Sequence, residues 1–391
     1  LTTTNSGRAG VDASRVVDLM LDLCRADSAP YREGPVARIA ADALRRLGLD
    51  VREDDAAGAV GGEVGNLIAT LPGRGRFAGS PPVLLSAHMD RVAGGIGIRP
   101  VVQDGVVVSG GDTILGADDA AGMAAIIEAL HVLAESGDDH LPAEIVFTIG
   151  EEIGLVGAKH LDVGVLKSRC GFVLDADGAV GTIVTRAPFQ VSIAAELFGR
   201  SAHAGIAPEN GVSAIKMAAV AISRMSLGRI DEETTANVGY IAGGGPTNIV
   251  PERAEIRAEA RSLDPRKLER QLKHMERVLL DTAAQFGGKV NWRARRSYEG
   301  FALDTDSEPV RRARAAAAEM GLEPRLVATG GGSDANVFNA RGIPCAVLGV
   351  GYQRIHTHQE RMPIAELVRL AELVVRILRG AGGAGSGSDR S

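Results

Sequence analysis

The chain has 391 residues, long enough for two domains with a substantial core, and its 45% apolar and 24% charged composition reads as soluble and globular. A formal net charge of −6 argues against nucleic acid as a main partner, and no run is long and apolar enough to span a bilayer. Three widely spaced cysteines, Cys24, Cys170 and Cys345, give neither a disulfide framework nor a cysteine metal site and fit a reducing cytoplasm.

Residues 1–8 lack the apolar core of a signal peptide. Residues 16–25 and 35–47 have the spacing of amphipathic helices, the second stopped by Gly48. Residues 83–87 form a short apolar run behind Pro81 and Pro82, hence a buried strand. Residues 120–133 read as a helix, 144–149 as a strand followed by Gly150 and a helix, and 171–174 as a strand that ends at Asp175. Alternating strands and helices imply a sheet with helices on both faces, whose site lies at the carboxyl ends of the strands. The style changes after Ala187. Strands at 189–197, 237–242, 252–262 and 290–298 alternate with helices at 213–225 and 265–286, the latter with Asp264 at its N-cap and Pro265 behind it. The order β-α-β-β-α-β is that of a ferredoxin-like unit. Residues 309–320 and 345–351 then return to the helix and buried-strand style of the first part.

The expected architecture is therefore a discontinuous α/β domain with a mixed sheet flanked by helices, interrupted by a smaller ferredoxin-like α+β domain. Its parts are 12–187 and 299–380, with the insertion at 188–298 and a glycine- and serine-rich flexible tail at 381–391.

Five polar segments carry the chemistry. His88 and Asp90 follow the strand at 83–87. A lone histidine there is usually structural, but an aspartate two residues on can fix its tautomer as metal sites require. Asp118 and Asp119 stand at the start of a helix, where one carboxylate makes a cap and a second calls for another explanation. Glu151 and Glu152 have a plain reading as first-turn acids beside a helix dipole. Against it, adjacent glutamates project differently, so one can ligate while the other acts as a base. Asp175 and Asp177 lie in a turn-like Asp-Ala-Asp-Gly, and His356 and His358 in a His-Thr-His-Gln-Glu segment. The set offers oxygen and nitrogen and no sulfur, which suits zinc, with manganese or cobalt as alternatives. Three negative charges from Asp118, Glu152 and Asp175, with a hydroxide, come close to balancing two divalent ions.

As an ordered set, these segments resemble the di-zinc aminoacylase/carboxypeptidase G superfamily, and within it the peptidase T-like members. Arg200-Ser201-Ala202-His203-Ala204-Gly205 belongs to the same set, and the likeness runs over about residues 12–380. The resemblance implies two divalent ions per chain, held by His88, Asp118, Glu152, Asp175 and His356, with Asp118 bridging. A shift of the loop would put Asp177 in place of Asp175, and His358 has no counterpart in the pattern. Asp90 would orient His88, and Glu151 would be the general base. The inserted domain would be a lid and dimerisation domain carrying His203, which polarises the scissile carbonyl. Asn248 and Arg261 would lie near the substrate, although a surface strand charge explains Arg261 equally well. Gly330 to Asn336 would floor the site, and without a Lys-Ser/Thr ending it is no nucleotide loop.

The implied activity is hydrolysis of short peptides by a cytoplasmic exopeptidase, a tripeptidase-like aminopeptidase. An aminoacylase acting on N-acyl amino acids is the alternative within the same chemistry. A non-catalytic binding protein on the same fold is the alternative of another class, and loss of the base or of a ligand would favour it.

Overall fold

The computed structural model describes residues 10–383. The expectations for residues 1–8, and for the tail beyond Gly383, lie outside them. Within the described residues the chain divides into two units: Arg186–Phe301 with Thr329–Gly332 forms one, and the flanking parts form the other.

The larger unit is built on a mixed sheet. Val83–His88 and Ala143–Thr148 are buried at every position, which requires layers on both faces and explains their unbroken apolar sequence. Ala143–Thr148, Val83–His88, Cys170–Ala176 and Cys345–Gly349 lie side by side in that order, all parallel. Leu67–Leu71 and then Asp50–Glu53 continue the sheet antiparallel on one side, and Thr182–Ala187 does so on the other. His88 pairs with Thr148, so the polar residues after these two strands emerge at one edge.

Helix Ala117–Ser136 packs between the strand Val83–His88 and the helices Ala13–Arg25 and Ile364–Leu378. It is apolar on nearly all sides because it is covered on nearly all sides. Its start is irregular: Asp118 and Asp119 have non-helical angles and are joined by a cis peptide. At Gly122 the helix meets the sheet so closely that a Cβ would lie 2.3 Å from Asp119 Oδ1 and 2.6 Å from the Leu174 carbonyl.

Two local expectations need correction. The glutamate pair does not open a helix. The chain turns from Gly150 (φ +57°) to Leu155 (φ +59°), and the helix, Val156–His160, begins only afterwards. The amides of Glu151 and Glu152 are bound by the Asp90 carboxylate, while the carbonyls of Ile149 and Gly150 accept from Gly157 and Val156, too far along the chain for a helical turn. Asp175 does not follow its strand but lies within it, Cys170–Ala176, since pairing with Cys345–Gly349 carries the strand further.

The smaller unit is a five-stranded antiparallel sheet. Its order is Gly228–Arg229, Thr234–Gly243, Arg253–Ser262, Phe189–Phe198, Lys289–Tyr298. The four long strands have the ferredoxin-like arrangement. Helices Ala214–Arg224 and Pro265–Phe286 bury Met217, Leu268, Met275 and Leu279 against Val191, Ile193, Ala195 and Leu197. Those four alternate along one strand, as a one-sided sheet demands. Asp264 caps the long helix by accepting from the Arg266 amide at 2.7 Å. Gly332 packs where a Cβ would lie 2.3 Å from the Tyr298 ring, which keeps the glycine-rich segment against this unit. No helix among the described residues is long and apolar enough to cross a membrane.

Gly122→Ala tests the close approach of helix and sheet. Overpacking of this kind costs about 1–3 kcal/mol, to be read from urea denaturation. A variant as stable as the wild type would show that the helix can move away freely.

Candidate metal centre

The strand ends bring the polar segments of the larger unit together. His88 closes its strand and is buried, 2% exposed. Its Nε2 lies 3.1 Å from Asp118 Oδ1 and 3.9 Å from Asp175 Oδ1. His356 arrives from the loop after Cys345–Gly349, at φ +61°, and is largely exposed. Its Nε2 lies 3.1 Å from Asp118 Oδ2 and 2.9 Å from Glu152 Oε1. Asp118 thus turns one carboxylate oxygen toward each histidine. Two groups of donor atoms result, His88–Asp118–Glu152 and His88–Glu151–Asp175, each with its atoms within 4.8 Å of one another. Asp177 is exposed and belongs to neither group, and among the described residues His358 joins none of the cluster's hydrogen bonds.

The electrostatics show what the cluster calls for. Burial raises the cost of charging Asp118, yet hydrogen bonds with His356 and His88 outweigh it and hold the carboxyl well below its usual range. Burial pushes Asp119, Glu151 and Asp175 well above theirs, and neighbouring carboxylates push them further. Burial opposes charging His88, but Asp118 and Asp90 prevail and raise it well above normal. Hydrogen bonds to Asp118 and Glu152 lift His356 to about 10. Converging buried carboxylates of this kind call for positive charge beside them. Divalent cations would supply it, and imidazole with carboxylate is a donor set that suits them. The residues present therefore fit a metal pair.

Backbone anchoring keeps these side chains in place. Asp90, fully buried, accepts from the amides of Glu151 at 2.8 Å and Glu152 at 3.2 Å. The expected contact with His88 is present in a different form: Nδ1 is 3.0 Å from the Asp90 backbone carbonyl and 3.5 Å from its carboxylate. Asp119 accepts from the amides of Gly122 and His88.

Further residues support the cluster from close by. Glu360 accepts from the amides of Leu115, Gly116 and Asp118 at 2.9, 2.9 and 3.1 Å, and so ties the His356 segment to the Asp118 segment. Tyr352 donates to Asp175 Oδ1 at 3.3 Å, and Thr148 donates to Asp334 at 2.5 Å. Glu33 accepts from the amide of Gly150. The signal for Glu360 was its place four residues after His356, and for Asp334 its place behind three glycines. Nothing in the local sequence marks Tyr352 or Glu33.

In the smaller unit, His203 is exposed, and its Nδ1 accepts from the amides of Gly205 and Ile206, both at 3.1 Å. A neutral ring with an accepting Nδ1 carries its proton on Nε2, so the exposed nitrogen is a donor. The Asn248 carbonyl holds the amide of Ala204 and supports the same loop. Arg261 is half-buried and engaged, with Glu259 at 2.9 Å and with the Gly330 carbonyl.

A family model described as peptidase family M20/M25/M40 matches residues 84–380. The chain is 45% identical over 371 residues to an uncharacterized protein of Bacillus subtilis, YqjE, covering 95% of this chain and 99% of that one. Among solved structures it resembles aminopeptidase PepT from Bacillus cereus, with 44% identity, a TM-score of 0.85, and coverage of 94% and 98%. It also resembles a tripeptidase from Staphylococcus aureus, with 42% identity, a TM-score of 0.89 and the same coverage.

Glu360→Ala would leave three buried amides without partners. At about 1–3 kcal/mol for each unsatisfied group, it should cost about 3 kcal/mol or more in denaturant unfolding. Unchanged stability would mean that water replaces the carboxylate.

Proposed function

The chain belongs to peptidase family M20/M25/M40, and we propose that it is a di-zinc exopeptidase that cleaves short peptides as a tripeptidase-like aminopeptidase. The observation that carries this reading is the placement of Asp118 between His88 and His356, one oxygen toward each. Two further observations support the substrate class: similarity above 40% identity to an aminopeptidase and a tripeptidase, and coverage of nearly the whole of each chain.

In this reading His88, Asp118, Glu152, Asp175 and His356 hold two divalent ions, zinc by preference. When bound, such ions polarise a carbonyl and acidify water. Asp90 orients His88 through the contacts at Nδ1. Glu151 takes the proton from the attacking water at its carboxylate and later returns it to the leaving amine nitrogen, so the proton count closes on products. His203 donates Nε2–H to the carbonyl oxygen as negative charge develops there. Asn248 and Arg261 hold the remainder of the peptide. The smaller unit serves as lid and dimerisation surface. We assign the activity to the cytoplasm, which the three free, buried cysteines support.

The reading is tested by assaying di- and tripeptides against N-acetyl amino acids with added zinc, manganese or cobalt. Peptides should be cleaved from the amino end, and a chelator should abolish the activity reversibly. Glu151→Gln should lower kcat by about 10²–10⁴-fold, the usual worth of a positioned base, with metal content intact. Cleavage of the N-acetyl compounds alone would replace the peptidase reading with an aminoacylase, and near-normal turnover by Glu151→Gln would remove it as the base.

His203→Ala should depress kcat strongly and leave the metals in place. If the histidine serves the neighbouring subunit's site, mixing His203→Ala with Glu151→Gln restores activity, since one site of a mixed dimer is then intact. No recovery after verified subunit exchange excludes action across the dimer.

A further inference from the structure

The loop between the first two helices, residues 26–33, belongs to none of the chemical motifs, yet it grips two of the segments that do. Ser28 is fully buried and donates Oγ–H to the Met89 carbonyl at 2.6 Å, while its own carbonyl accepts from the Arg91 amide at 2.9 Å. It thereby brackets Asp90 on both sides. Glu33, also fully buried, directs Oε1 to the amides of Gly150 at 3.1 Å and Tyr31 at 2.9 Å. Consecutive amides of the glutamate turn are thus bound by buried carboxylates. Glu33 takes Gly150, and Asp90 takes Glu151 and Glu152.

This arrangement is not what stability alone would select. Glu33 Oε2 is inaccessible and has no hydrogen-bond partner. A buried carboxylate with an unsatisfied oxygen is destabilising. Tyr31, whose amide the same carboxylate holds, has φ +68°, a strained region for a bulky side chain. Unfavourable features of this kind gather where geometry serves function. Both meet here at the group that fixes the residue before Glu151.

We propose that Glu33 is a positioning residue: by fixing the Gly150 amide, it sets the direction in which the turn presents Glu151 and Glu152. The proposal rests on the reading of those two glutamates as base and metal ligand. It requires an acceptor oxygen at that reach and not a negative charge as such. Burial pushes the Glu33 carboxyl up to about 7, so its negative charge is already disfavoured, and glutamine keeps an acceptor oxygen at the same reach without that charge.

The test uses full-length Glu33→Ala, Glu33→Gln and Glu33→Asp. Zinc affinity is measured by competition with a fluorescent chelator, kcat and KM on a peptide that the wild type cleaves, and folding by thermal melting. Glu33→Ala should lower kcat about 10–100-fold and weaken zinc binding about tenfold, the scale of groups that support metal ligands, with KM within about threefold. Glu33→Gln should recover most of both losses. Glu33→Asp keeps the charge but is one methylene too short, and should resemble Glu33→Ala. Should Glu33→Ala fail to fold, the Gln and Asp variants decide on the same readouts. Wild-type kcat and zinc affinity in Glu33→Asp, or a Gln variant no better than the Asp variant, overturns the proposal. A wild type that binds no zinc and cleaves no peptide overturns the functional reading together with it.

Discussion

Asp118 stands between two histidines with one carboxylate oxygen turned toward each, and the larger unit is arranged to keep it there. A carboxylate buried among other carboxylates is costly unless positive charge converges on it. The parallel strands supply that convergence by ending at a common edge. The Asp118 segment arrives beside them on a helix pressed so tightly on the sheet that only glycine fits at position 122. The same closeness lets Asp119 hold the His88 amide from across the helix start.

The site is stiffened by acids that never need to touch a ligand. Asp90, Glu360 and Asp119 each bind backbone amides beneath the side chains that face the cluster. A carboxylate bound to two or three amides fixes the course of a loop, since charge-assisted bonds to N–H groups are short and directional. Each anchor also joins segments distant in the chain, so the His356 and Asp118 segments are tied together through Glu360. Preorganisation of this kind is what a metal pair and a positioned base both require.

Much of this was legible in the sequence, because ligand chemistry restricts residue types and strand ends are easy to find. His88, Asp118, Glu152, Asp175 and His356 follow or end apolar runs, and the larger unit brings all five into one cluster. The alternation at 189–197 and the Asp264–Pro265 cap likewise gave the ferredoxin-like order, since both are local signals. What stayed hidden depends on partners far along the chain. The turn at Glu151 looked like a helix start because adjacent acids behind a strand suit one, and the Asp90 carboxylate that holds its amides lies 61 residues earlier. Glu360 and Glu33 act on amides 242 and 117 residues away, and no periodicity encodes such pairings.

In the function proposed above, Asp118 bridges two ions. Its most direct test is anomalous diffraction at the zinc edge from crystals of the protein grown with zinc. A bridging Asp118 gives two peaks per chain, each bonded to a different oxygen of Asp118, with His88 at one and His356 at the other. A single peak, or two peaks with Asp118 bonded to neither, would contradict it.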